Sequence, residues 1–321
     1  KEWKKQGLSV GLVPTMGYLH EGHQSLMEAA RKDNDKVVVS IFVNPMQFGP
    51  TEDLATYPRD LNHDAALCEK VGVDLIFHPE PEEMYEKDFC SFVDMTGLTE
   101  GLCGKTRPIH FRGVCTVVNK LFNIVQPDFA FFGEKDRQQL IILKKMVKDL
   151  NIPVQIIPCP IVREESGLAL SSRNKYLSEE DKVNALALSK ILFNIKACFK
   201  KGITDVKALT EIAYPYLNEN HSLEYLEFRD GDDLEEKQVA DALVPKRASA
   251  TVNIKVLQIH WSKKEHLQWR INREYRYIRY QKIESTHPSI YFNHGTPPRK
   301  KRLCTPANWS RACPTKLSRS A

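Results

Sequence analysis

The sequence predicts an α/β fold: a doubly wound parallel sheet with a second, smaller α+β domain after it. Three observations carry this. From residue 8 to about 165, short apolar runs alternate with segments of helical spacing. The run VVVSIFV at 37–43 is β-branched and almost wholly apolar, which suits a central strand covered on both faces. The polar motifs fall where predicted strands end, and ligands of such sheets gather beyond those ends.

Taken in order, residues 1–6 read as the tail of a helix that begins before Lys1. VGLVP at 10–14 is the first strand, 15–18 a turn and 25–31 the helix that follows. After the 37–43 strand, residues 60–71 place Leu61, Ala65, Leu67, Cys68 and Val71 at helical spacing. Gly72 ends that helix, and 73–77 is the next strand. Residues 116–125 read as helix through Val117, Val118, Leu121, Phe122 and Val125. A strand at 128–132 stops at Gly133; an amphipathic helix spans 138–150 and a further strand 154–157. After Ser171 the pattern changes. Ser178-Glu179-Glu180-Asp181 is a capping start for a long helix that Gly202 closes. A second helix covers about 205–217, and 223–228 reads as a strand. The predicted units are therefore 1–170, a smaller α+β lid over 171–245, and a tail over 246–321.

The net charge of +5 over 321 residues hides a split. Residues 246–321 hold 17 Lys and Arg against 3 Asp and Glu, whereas residues 1–245 hold 29 against 38. A basic tail on a mildly acidic body suggests nucleic-acid or anionic-surface binding, or a segment outside the fold. Tyr275, Tyr277 and Tyr280 interleaved with arginines favour the first. The expectation adopted is the second, a disordered extension. No apolar run approaches the length of a membrane span and no signal segment is visible. The eight cysteines form no C-x-x-C pair and no zinc-site rhythm, which predicts buried, reduced thiols in a cytoplasmic protein.

Four motifs carry chemistry. In the first, His20-Glu21-Gly22-His23 sits where a strand ends and a helix begins, so free amides and the positive end of the helix dipole collect beside two imidazoles. Those rings can offer donors or positive charge to a phosphate. In isolation the same residues read as two capping histidines. In the second, Asn44 and Gln47 follow the 37–43 strand and could orient a small polar substrate; alone they read as an Asn-Pro turn with a solvated glutamine. In the third, Gly133-Glu134-Lys135-Asp136 follows an aromatic strand. Lys135 suits a phosphate, Asp136 a Mg²⁺ or a ribose, and Gln139 could point back to a substrate. The bland reading is a solvated Lys–Asp pair. In the fourth, Leu170-Ser171-Ser172-Arg173 is either an anion clamp or a linker with a serine cap. His110 and Arg112 could reach an anion, but a structural loop is the default there. Asn308-Trp309-Ser310 matches a glycosylation sequon by chance.

Together PTMGYLHEGH (14–23), FVNPMQFGPTEDL (42–54), HFRGV (110–114), FFGEKDRQQL (131–140) and GLALSSRN (167–174) resemble the pantothenate synthetase, or pantoate–beta-alanine ligase, family. The resemblance covers about residues 3–238. It implies a Rossmann-like first domain of the H-x-G-H nucleotidyltransferase class. It also implies ATP-dependent condensation of pantoate with β-alanine to pantothenate through a pantoyl adenylate, with AMP and pyrophosphate released. By that pattern ATP would meet Met16, Gly17, Tyr18, Leu19, His20, Glu21, Gly22 and His23. It would also meet Gly133, Glu134, Lys135, Asp136, Val162, Leu170, Ser171, Ser172 and Arg173. His23, with His20, Lys135 and Arg173, would be catalytic; Gln47, Gln139 and Asn44 would hold pantoate. Mg²⁺ would accompany ATP, its ligands unspecified, and the protein would be a cytoplasmic homodimer with no membrane or nucleic-acid partner. Past about Lys237 the chain departs from the family pattern, so the lid is expected to be incomplete. Two rivals stand beside this reading: a related nucleotidyltransferase acting on another acid, and an inactive body whose basic tail binds nucleic acid.

Overall fold

The computed structural model describes residues 1–218, 221, 225–236 and the strand Ser289–Phe292. One turn of helix, α1 (Glu2–Lys5), precedes β1 (Val10–Thr15), and α2 (Glu21–Asp33) leads to β2 (Lys36–Ile41). Then come α3 (Leu61–Val71), β3 (Leu75–His78), α4 (Pro81–Met84), α5 (Leu102–Thr106) and α6 (His110–Val125). The first unit closes with β4 (Phe129–Gly133), α7 (Arg137–Asp149) and β5 (Gln155–Cys159). Beyond it lie α8 (Glu179–Lys200) and α9 (Val206–Glu211), and β6 (Ser289–Phe292).

β5, β4, β1, β2 and β3 form a parallel sheet in that order, and β6 adds to the β3 edge antiparallel. Alternate side chains of β2 enter opposite cores. Val37, Val39 and Ile41 pack with Leu26, Met27 and Cys68 of α2 and α3, while Val38 packs with Val117, Leu121 and Ile142 of α6 and α7. Cover on both faces explains why this stretch reads as an unbroken apolar run. From β1 the chain winds outward through α2 and β2. It then returns to the other side of β1 as β4, which sets a switch point between the carboxyl ends of β1 and β4.

The predicted elements recur with shifted ends, and two differ in kind. The helix expected from residue 116 begins at His110. There Gly113 lets α6 lie directly on the 45–47 turn, where any Cβ would collide with the Met46 carbonyl. The stretch 225–228 pairs with no strand among the described residues, although Phe228 is buried; Leu226 and Phe228 pack on α8 and α9 instead, while Tyr225 packs against the cluster of Leu102, Ile141 and Leu234. The second unit has its own core of Ile191, Ile195, Phe199, Leu209, Ala213 and Phe228. It is pinned to the first through a short 3-10 turn, Ser172–Tyr176. Among the described residues no helix is long and apolar enough to cross a membrane. The 246–321 tail, its tyrosines and its sequon lie outside the described residues, apart from β6.

Candidate active site

At the switch point a cavity of about 250 Å³ opens, far above the ~10–15 Å³ that one water needs. Its walls come from the four motifs. Met16, His20, Gly22 and His23 stand on one side, with Gly133, Lys135, Asp136 and Gln139 at the ends of β4 and the start of α7. Asn44 and Gln47 lie deeper, and Val162, Leu170, Ser171, Ser172 and Arg173 close the rim. Lys135 and His23, which come from separate motifs, share this one cavity. Gly17, Tyr18, Leu19, Glu21 and Glu134 do not line it, and Glu21 is exposed.

The two imidazoles hold each other's helix end. His20 caps α2 by accepting the Gly22 N–H on Nδ1 at 3.0 Å, and His23 Nδ1 accepts the His20 N–H at 3.3 Å. The rings lie 4.1 Å apart. With both Nδ1 atoms used as acceptors, each neutral ring carries its proton on Nε2. Burial pushes His20 down to about 4, helped by the Lys135 charge and opposed by Glu21. Burial, then His20 and Lys135, push His23 down to about 3 against the pull of Asp136. At neutral pH these rings therefore present N–H donors and not positive charge. Of the two options the sequence left open, the fold selects the first.

Behind them, the turn into α2 is fixed by Asp64 of α3. Its buried carboxylate accepts the Tyr18 N–H at 2.8 Å and the Leu19 N–H at 2.7 Å. Gly17 and Tyr18 both have left-handed backbone there, with φ of +81° and +50°. Asp64 was missed in the sequence. Its signal is position: Leu61, Asp64, Cys68 and Val71 share one helical stripe, so the carboxylate falls among apolar neighbours.

Asn44 is buried and fully engaged. Its Nδ2 donates to Gln47 Oε1 and to the Gly113 carbonyl, both at 3.1 Å, and its Oδ1 accepts from the Tyr85 hydroxyl at 2.7 Å. Asn44 therefore sets the direction of Gln47, which is itself buried and not solvated. His110 lines the cavity and bonds the Gln47 carbonyl through Nδ1 at 3.0 Å. Arg112 instead stacks 3.9 Å from the Phe92 ring, away from the cavity. Tyr57 and Arg107 line the cavity without having been singled out.

The cations are matched by carboxylates. Arg173 forks onto Asp53 at 2.8 and 2.9 Å, and Arg107 onto Glu52 at 2.5 and 2.6 Å. Lys135 lies 3.3 Å from Asp136. Ser172 Oγ donates to the Tyr18 carbonyl at 3.1 Å. Four cysteines, Cys68, Cys103, Cys115 and Cys159, are buried, and none of the described cysteines lines the cavity. Burial raises Cys68 and Cys115 to about 12 and Cys159 to about 11, which leaves these three thiols protonated. Among the described residues no three His, Cys, Asp or Glu side chains gather as a metal site.

The family model for pantoate-beta-alanine ligase matches residues 1–261. The chain is 65% identical over 209 residues to the pantothenate synthetase of Ruminiclostridium cellulolyticum, covering 65% of this chain and 74% of that protein. It is 52% identical over 247 residues to that of Clostridioides difficile, covering 76% and 88%. Among solved structures it resembles pantothenate synthetase from Thermus thermophilus, with a TM-score of 0.71, 46% identity, and coverage of 73% of this chain and 86% of that one. It also resembles a pantoate-beta-alanine ligase from Francisella tularensis complexed with beta-gamma ATP and beta-alanine (TM-score 0.61, 38% identity, coverage of 69% and 82%).

Proposed function

The chain belongs to the pantoate-beta-alanine ligase family, and from that premise we propose that it makes pantothenate from pantoate, β-alanine and ATP through a pantoyl adenylate. The observation that supports this reading is convergence: two imidazole donors, a lysine and an arginine from separate motifs line one cavity at the sheet's switch point. In the first step a pantoate carboxylate oxygen attacks the α-phosphorus of ATP, the bond to the β-phosphate bridging oxygen breaks, and pyrophosphate leaves. In the second the β-alanine amine attacks the activated carbonyl carbon, loses a proton, and AMP departs.

Each wall has a part. His23 and His20 donate Nε2–H bonds to phosphoryl oxygens as charge grows there, and Lys135 and Arg173 neutralise the phosphate chain. Gln47, aimed by Asn44, and Gln139 hold pantoate in line, which removes an entropic barrier. Asp136 is the one carboxylate among the described lining residues. That suits Mg²⁺, which takes one or two carboxylates plus phosphate oxygens and water rather than a protein cage. When bound, the ion supplies charge neutralisation on the phosphates. The second unit, hinged at 171–173, would act as a lid excluding water from the adenylate. A cytoplasmic homodimer goes with this reading, and sedimentation velocity checks the assembly.

Exchange of labelled pyrophosphate into ATP tests the first step. The expected result is exchange that requires pantoate, proceeds without β-alanine, and fails with other hydroxy acids. A folded sample with no exchange, or exchange driven better by another acid, overturns the assignment.

A further inference from the structure

We propose that Asp64 is a positioning residue for ATP, acting through the 17–19 turn without touching the nucleotide. The inference rests on the adenylating reading above. A carboxylate that is 1% exposed needs strong hydrogen bonds to remain in the fold. Here it takes two consecutive backbone N–H groups, Tyr18 on one oxygen and Leu19 on the other. Two successive residues of that turn carry left-handed backbone, which for Tyr18 is costly unless the surroundings enforce it. Asp64 is what enforces it. Packing is equally tight from the other side, since a Cβ on Gly17 would lie 3.0 Å from Asp64 Oδ2 and 3.0 Å from Ile41 Cγ2.

The consequence concerns placement. The turn joins Met16 to His20, and both line the cavity. An internal carboxylate already takes the Tyr18 and Leu19 amides. Asp64 thus spends those donors on holding His20 and His23 at their stations. It also leaves the rings themselves as the donors that face the ligand.

Asp64→Asn separates this from a merely structural role. The amide keeps the shape but sets a donor against one of the two N–H groups. The expected result is a rise of about tenfold or more in KM for ATP and in the Kd for ATP by calorimetry, with KM for pantoate unchanged. Cys68→Ala, one turn along the same buried stripe, is the control: it lowers thermal stability but leaves KM for ATP alone. If Asp64→Asn does not fold, Gly17→Ala disturbs the same contact from the opposite side and is expected to give the same ATP-selective loss. A folded Asp64→Asn enzyme with unchanged KM for ATP overturns the proposal, as does an equal loss in every kinetic constant. Pantoate-dependent exchange by the unaltered chain is measured alongside. Its absence would refute the parent reading and not the positioning role, which the ATP calorimetry still judges.

Discussion

His23 does two jobs at once. Its Nδ1 holds the first turn of α2, and its ring lines the cavity with the proton left to Nε2. His23→Gln separates them, because glutamine is an ordinary partner at the third position of a capping box and keeps the acceptor for the His20 N–H. The expected outcome is a fall of about a hundredfold or more in pyrophosphate exchange with a melting temperature near that of the parent, read by exchange assay and calorimetry. The same residue gives a pH signature. His23 falls from 6.5 to about 3 in the folded chain, so below about pH 6.5 the unfolded chain takes up a proton that the folded chain refuses. Stability therefore drops as pH falls through that window, by about 1.4 kcal/mol per pH unit from this residue alone. Above the window it contributes nothing. Urea unfolding followed across it is expected to show a shallower slope in His23→Gln. The bland reading of the motif, two capping histidines, and the functional one are both true of these rings, which is why sequence alone could not choose between them.

Among the elements, α6 carries the least obvious assignment. Its first turn, for which a structural loop is the default in the sequence, is helical from His110. In the fold His110 turns inward to the Gln47 carbonyl, while Arg112 lies outside on Phe92. Gly113 is the contact between α6 and the 45–47 turn. Gly113→Ala is expected to cost about 1–3 kcal/mol in urea unfolding and to raise KM for pantoate, since Asn44 loses its tether to the Gly113 carbonyl. The β1–β5 alternation was legible because burial on both faces imposes a composition no other arrangement requires. Asp64 and the ion-paired loop around Glu52 and Asp53 were not, because their roles are set by partners far along the chain. Asp64 bonds residues 45 and 46 positions away, and Asp53 one 120 positions away. The 225–228 stretch misled because alternation marks a buried edge whether or not a partner strand exists.

Across the whole molecule, the two units meet at the 3-10 turn and at a small apolar cluster of Leu102, Ile141 and Leu234 with Tyr225 against it, beside which Arg137 donates to the Gly231 carbonyl at 3.2 Å. Ser172 bonds the Tyr18 carbonyl, Arg173 forks onto Asp53, and the Tyr176 hydroxyl reaches the Thr56 carbonyl at 2.8 Å. Arg173→Lys keeps the charge but loses the fork, so it is expected to weaken ATP binding about tenfold and to loosen the lid, read by calorimetry and limited proteolysis. A body fastened at these two places has a preferred line of fracture. Under gentle denaturant the halves should part there, opening the shared cluster while the separate core of each stays intact. The enzyme would then fall silent at concentrations where far-UV circular dichroism still records every helix.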